Sequence, residues 1–239
     1  MKTRTIALAL IASFGSLTGY AQLKGGIKAG LNIASLKGDY GSNVNGKQKL
    51  GFHAGVTAEY PFANPKLALV GELLFSTQGR IIDESFLVSN NGIYSYQESR
   101  NTLTTANINV PIMLRYYVLE RLSIQGGPQF GFAVKAEEKI ETSNTLDPSQ
   151  NETRTVDVLK GGSYQENGVN YPYEKTIKPF DMGINLGATY DVSDAFFIQL
   201  HYYFGLTDID SRPAQTFLIN QKNDFKNTVF QVSLGYKFF

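Results

Sequence analysis

The sequence predicts an all-β chain, an eight-stranded antiparallel up-and-down transmembrane β-barrel with short turns at one end and long loops at the other. Three observations predict it. Eight segments alternate apolar and polar residues with a period of two, each close to the ~9–11 residues a tilted membrane strand needs. No Asp, Glu, Lys or Arg stands on the apolar face of any of the eight. The connections between them alternate short and long.

The chain opens on a segment that is not part of this pattern. Lys2 and Arg4 precede an apolar run from Ile6 to Phe14, and Gly19-Tyr20-Ala21 supplies small residues before Gln22. This reads as a secretory signal peptide over residues 1–21, too short for a membrane span. Residues 22–239 are then one outer-membrane β-barrel domain.

The first strand sets Ile27, Ala29, Leu31 and Ile33 against Lys28, Gly30 and Asn32. The second sets Phe52, Ala54, Val56, Ala58 and Tyr60 against His53, Gly55, Thr57 and Glu59. The third places Leu69, Gly71, Leu73 and Phe75 opposite Glu72, Ser76 and Gln78. The fourth places Ile108, Val110, Ile112, Leu114 and Tyr116 opposite Asn107, Asn109 and Arg115. In the fifth, Ile124, Pro128, Phe130 and Phe132 oppose Gln125, Gly127, Gln129 and Gly131. The sixth has Phe180, Met182, Ile184, Leu186, Ala188 and Tyr190 against Asp181, Asn185 and Thr189. The seventh has Phe196, Ile198, Leu200, Tyr202 and Phe204 against Gln199, His201 and Tyr203. The last has Phe230, Val232, Leu234, Tyr236 and Phe238 against Gln231, Ser233, Gly235 and Lys237.

A soluble sandwich can alternate in the same way, so the polar faces decide which side is inside. They are rich in Gly, Asn, Gln and Ser, which suit the narrow interior of an eight-stranded barrel. A soluble surface is denser in Lys and Glu. The tight links at 61–66, 118–121 and 191–195 alternate with polar stretches at 34–49, 79–106, 135–178 and 207–227. That is the plan of an outer-membrane barrel, with brief periplasmic turns and larger extracellular loops. Lipid leaves no edge N–H or C=O a partner, so the sheet must close. Tyr60, Tyr116, Tyr190, Phe196, Tyr236 and Phe238 gather at the strand ends near the short turns, as a periplasmic aromatic girdle requires.

Two features run against the pattern. Pro111 and Pro128 each remove a ladder donor, and a β-bulge or local break is expected at each. Ala68, Val70, Leu74 and Met113 place apolar groups on the inward face.

Composition removes several functions. The 22 Lys+Arg against 21 Asp+Glu show no basic excess for nucleic acid. With no cysteine there is no disulfide, thiolate nucleophile or zinc–thiolate site. Gly126-Gly127-Pro128 lacks the Lys-Ser/Thr of a phosphate loop.

Several motifs together resemble the PorT-like outer-membrane β-barrel proteins. They are Gly26-Ile27-Lys28-Ala29-Gly30-Leu31-Asn32, Gly71-Glu72-Leu73-Leu74-Phe75-Ser76, Ile108-Asn109-Val110-Pro111-Ile112, Phe180-Asp181-Met182-Gly183, Tyr203-Phe204-Gly205-Leu206 and Leu234-Gly235-Tyr236-Lys237-Phe238. They occur in order across most of the chain. The family pattern has an acidic residue before the Ile-Pro of the fourth strand, where this chain has Asn109-Val110-Pro111. Barrels of this kind end on a lipid-facing Phe, here Phe238, and this chain adds Phe239. The resemblance implies insertion into the outer membrane of a Gram-negative cell, with the terminal Phe read by the barrel-insertion machinery. It implies little about activity.

The residues that could carry chemistry all point inward. His53 and His201, the only two histidines, lie on the second and seventh strands with no carboxylate cluster of metal spacing. Glu72 and Arg115, on neighbouring strands, are expected to form a buried ion pair, with Asp181, Lys28 and Lys237 as further members of a structural lumen network. Catalytic, cofactor-binding and metal sites are expected to be absent. The stretch 135–178, with Tyr164, Tyr171 and Tyr173, is the expected recognition surface. The expected role is non-enzymatic: a structural or interaction barrel with membrane lipid around it and a protein or ligand at its outer loops, including an accessory role in secretion or surface assembly. A small membrane enzyme acting on lipid or peptide, a narrow pore and a lipocalin-type carrier are the alternatives.

Overall fold

A computed structural model of the protein describes residues 23–38, 45–90, 93–144, 148–166, 169–211 and 224–238. The leader reading for residues 1–21 and the terminal Phe239 lie outside them. The described strands are β1 Lys24–Lys37, β2 Asn45–Pro61, β3 Leu67–Asn90, β4 Ile93–Leu119, β5 Leu122–Asn144, β6 Glu152–Asp157, β7 Gly162–Glu166, β8 Val169–Tyr173, β9 Phe180–Asp191, β10 Phe196–Gly205 and β11 Lys226–Lys237.

Eight of these form a closed antiparallel ring in the order β1-β2-β3-β4-β5-β9-β10-β11. Pairing of β1 with β11, from Gly26 opposite Lys237 to Lys37 opposite Lys226, closes it. The greasy stripe faces outward, as the alternation predicts. Leu31 is 64% accessible and its neighbour Asn32 0%; Leu234 is 68% and Ser233 1%. A continuous belt of such leucines and phenylalanines far exceeds the few hundred Å² a soluble monomer leaves bare. Acyl chains must cover it.

The short ends are built by local side-chain capping. Asn64 Oδ1 accepts from the N–H of Lys66 at 3.0 Å in the β2–β3 turn. Ser193 Oγ accepts from the N–H of Phe196 at 3.0 Å in the β9–β10 turn. Around these turns the six predicted girdle aromatics are exposed. Phe196 and Tyr236 sit 5.2 Å apart edge to face, and Tyr236 and Phe238 are 5.9 Å apart.

The prolines interrupt without a slip. The β3–β4 ladder skips at Pro111, and the β4–β5 ladder skips opposite Pro128. On the other side each remains in register, Pro111 with Gln129 and Pro128 with Ile184. Each proline thus costs only the ladder its missing N–H would have served. Of the bulge or local break expected at each proline, the structure has the break; the register shifts lie elsewhere, between Gln48 and His53, between Ala106 and Asn107 and between Tyr117 and Leu119.

The outer end departs most from the sequence reading. Much of 79–106 is strand: β3 has 24 residues and β4 has 27, far more than a bilayer needs. These two, with β5 and β6, continue the barrel wall outward as a sheet. The stretches read as polar loops also hold an apolar cap. Leu36, Leu103, Ala136, Val156, Val158, Ile177, Ile209 and Phe225 form one buried cluster over the outer mouth of the lumen. Backbone bonds tie the cap together, with the N–H groups of Thr176 and Ile177 donating to the Val158 carbonyl at 2.9 and 3.1 Å. Isolated apolar residues in a polar stretch carry no periodic signal, so only their convergence in space identifies them as a core.

Candidate functional site: the lumen network and the outer sheet

Inward-facing polar groups inside a closed barrel leave water, and most take a partner there. At the periplasmic end this makes a neutral quartet of two cations and two carboxylates. Lys28 Nζ donates to Glu72 Oε2 at 2.7 Å and to Gln199 Oε1 at 2.6 Å. Lys28 stands opposite Gly55 on β2, so no β2 side chain blocks its reach to β3. Arg115 Nη1 donates to Glu59 Oε2 at 2.5 Å and its Nε to Gln125 Oε1 at 2.6 Å. Tyr117 adds a 2.8 Å bond to Glu59.

The expected Glu72–Arg115 pair is therefore corrected. Both residues point inward, but each takes a different partner. Arg115 lies opposite Ala68, nearer the periplasmic rim, where Glu59 is within reach, while Glu72 lies one layer further in beside Lys28. Glu59 was visible in the sequence as an inward residue; its register against Arg115 across β3 was not. Lys237 also stays out of the quartet, paired with Asp191 at 2.7 Å on the rim.

The two histidines lie one layer further out and do not meet. His53 Nδ1 is 2.7 Å from Asn32 Oδ1, and its Nε2 is 2.8 Å from Ser233 Oγ. The Asn32 amide nitrogen donates elsewhere, to Ser76 Oγ at 2.9 Å, so Asn32 Oδ1 accepts and the His53 proton belongs on Nδ1. His201 Nε2 contacts the Gln125 amide, which joins it to Arg115. Each imidazole lies against a cross-strand glycine, His53 against Gly30 and His201 against Gly187. A Cβ at Gly187 would stand 1.9 Å from His201 Cδ2, and one at Gly30 would stand 2.8 Å from His53 Cε1. These glycines are places where a ring needs the room.

Asp181 belongs to a separate outer layer. Its carboxylate accepts from Thr207 Oγ1 at 2.8 Å and from Asn227 Nδ2 at 3.3 Å. Val70, Leu74 and Met113 are wholly buried between the layers, which accounts for the apolar inward residues of the third and fourth strands. Such a network stiffens a barrel, and the arrangement of its carboxylates and histidines is that of a filled interior. Among the described residues no three His, Asp, Glu or Cys side chains converge as a metal site.

Above the cap lies an open surface. Arg154 donates to Tyr164 at 2.8 Å, and Tyr173 accepts from the Asp157 N–H at 3.1 Å. Both tyrosines pack on the cap cluster. Tyr171 stacks on Tyr164 at 5.4 Å and is exposed. On the outer sheet, Asp83 binds both Arg100 and Lys47 at 2.7 Å. A groove of about 600 Å³ crosses β3 to β6 at this level.

The model of the outer membrane protein beta-barrel domain family matches residues 20–211. The chain belongs to that family. Membership agrees with the closed ring and the outward apolar belt, and places this barrel in the outer membrane. Among solved structures, Ail, the attachment invasion locus protein of Yersinia pestis, is similar at 16% identity and a TM-score of 0.40, over 90% of this chain and 99% of that one. Neisserial surface protein A is similar at 10% identity and 0.36, over 90% and 97%. OprG from Pseudomonas aeruginosa is similar at 13% identity and 0.30, over 90% and 94%. None of the three overlaps this barrel closely enough to bring a role with it. Among curated proteins, no sequence matches the chain.

Proposed function

We propose that this barrel is a non-enzymatic interaction protein of the PorT-like kind, exported by its N-terminal leader and presenting its outer sheet to a protein or ligand at the cell surface. One observation carries the reading. The chain extends β3, β4 and β5 well past the membrane as ordered strands, while the lumen below is filled by side chains and covered by an apolar cap. A filled interior favours a platform over a pore. The engagement of both histidines with lumen amides and a hydroxyl favours it over a membrane enzyme.

The test is site-specific photo-crosslinking in intact cells. A photoreactive residue at Ser99 on the outer sheet should yield discrete protein adducts; one at Ser193 in a periplasmic turn should not yield the same ones. Equal adducts from both positions, or steady single-channel conductance of the purified barrel in planar bilayers, would overturn the reading. So would lipid-deacylase activity of the purified barrel.

A further inference from the structure

Asp181 is a carboxylate that the lumen network leaves without a counter-charge. Lys28 answers Glu72, Arg115 answers Glu59 and Lys237 answers Asp191. Among the described residues no cation pairs with Asp181, and its bonds to Thr207 Oγ1 and Asn227 Nδ2 bring no charge. A charge drawn out of water is costly until an opposite charge offsets it.

A second group beside it is unsatisfied. Asn227 is 7% accessible. Its amide nitrogen donates to Asp181 Oδ2 at 3.3 Å and to Gln78 Oε1. A carboxylate only accepts, so that nitrogen must face Asp181 and the amide cannot be turned over. Asn227 Oδ1 is left buried with no hydrogen-bond partner, a state folded proteins seldom leave unanswered.

Asp181 and Asn227 line one small cavity of about 20 Å³, at the seam between the lumen network and the apolar cap. That is room for a single water-sized atom. Thr105 and Asn107 of β4, both buried, line it as well. Asn107 Nδ2 donates to Thr105 Oγ1 at 2.8 Å, which leaves Asn107 Oδ1 as an acceptor. Lys178 also borders the cavity, but its ammonium is held by Asp208, 2.9 Å from the carboxylate and 3.1 Å from the carbonyl.

Oxygen acceptors around a one-atom space, with one unmatched negative charge, call for a cation. A water could donate to Asn227 Oδ1 but would leave the Asp181 charge uncompensated. Calcium draws on six to eight oxygens, and magnesium keeps several waters of its own. One carboxylate among neutral oxygens instead matches a single positive charge, and the space matches an ion of potassium's size. We infer that this cavity binds one potassium-sized monovalent cation between the Asp181 carboxylate and the amide oxygens of Asn227 and Asn107. Asp181 is on β9, Thr207 follows β10 and Asn227 stands at the start of β11. The ion therefore neutralises the carboxylate that holds both ends of the 207–227 connection to the wall. The site does not depend on the interaction role proposed above.

Thallium(I), a strong anomalous scatterer with potassium's charge and a similar size, is the direct probe. Crystals of the purified barrel soaked in thallium(I) acetate should show an anomalous peak between Asp181 and Asn227. Asp181→Asn crystals should lack it. In neutral phosphatidylcholine vesicles, potassium chloride should raise the urea midpoint saturably, relative to N-methylglucamine chloride at equal ionic strength. Asp181→Asn should abolish that potassium-specific rise. Ala133→Val fills the cavity and keeps the carboxylate; it should shift the half-maximal potassium concentration roughly tenfold higher. Density at the site without anomalous signal would identify a water and overturn the ion. Equal urea midpoints in the two salts would overturn it too, as would a potassium-specific rise left unchanged in either variant. Should Asp181→Asn fail to fold, the thallium peak and Ala133→Val decide.

Discussion

Lys28 on β1 and Glu72 on β3 bury their charges against each other at 2.7 Å, both side chains inaccessible, two strands apart in the wall. Such a pair contributes little net stability when intact, because desolvation offsets the attraction, yet removing one partner strands a charge. Glu72→Ala should therefore lower barrel stability by roughly 3–5 kcal/mol. Lys28→Met combined with Glu72→Leu should recover most of that loss. Urea unfolding in lipid vesicles measures both, and an additive double variant would show that the two do not act as a pair.

The glycine under His201 is the second test. A methyl at Gly187 meets both the imidazole and the Leu200 carbonyl, at 1.9 and 2.4 Å. Gly187→Ala should cost roughly 1–3 kcal/mol as overpacking. His201→Ser should relieve only part of it, because the backbone contact remains.

The facing of the wall predicts a contrast between adjacent residues. Leu200 is lipid-facing and midway between the aromatic ends Phe196 and Phe204, whereas Gln199 is buried in the lumen. Leu200→Arg should cost roughly 2–4 kcal/mol in a bilayer. A Leu200→Arg protein that inserts and unfolds like the wild type would reverse the assigned facing.

The outer ribbon should respond to acid. Arg100, by its hydrogen bond, and then Lys47 hold the Asp83 carboxyl down from 3.8 to about 2. A carboxylate with a lowered folded value stabilises the fold above its ordinary range and loses that contribution as pH falls through the folded value. Pepsin nicking near Phe86 should therefore speed up between about 3.8 and about 2, relative to Asp83→Asn at the same pH. In Asp83→Asn the nicking should already be fast. Parallel pH profiles for the two proteins would remove the ion pair from the account.

Several of these relationships were legible in the residues and several were not. Alternation placed Glu72, Arg115, Asp181, His53 and His201 on the inward face, where all five stand, because the pleat sends every second side chain to the same side. It could not pair them. Which inward residues meet depends on the stagger between strands, and a shift of two residues leaves every side chain on its face while changing all its neighbours. Glu72 therefore went to Lys28 instead of Arg115. The prolines marked where ladders break, but not that the register would survive.

The sequence by itself determined the closed eight-stranded wall, its facing and the end that carries short turns, because these follow from period, charge exclusion and connection length along one chain. Only the tertiary structure decided the lumen partners and the apolar cap. Those depend on residues far apart in sequence meeting at particular heights in the wall, and local alternation carries no information about height.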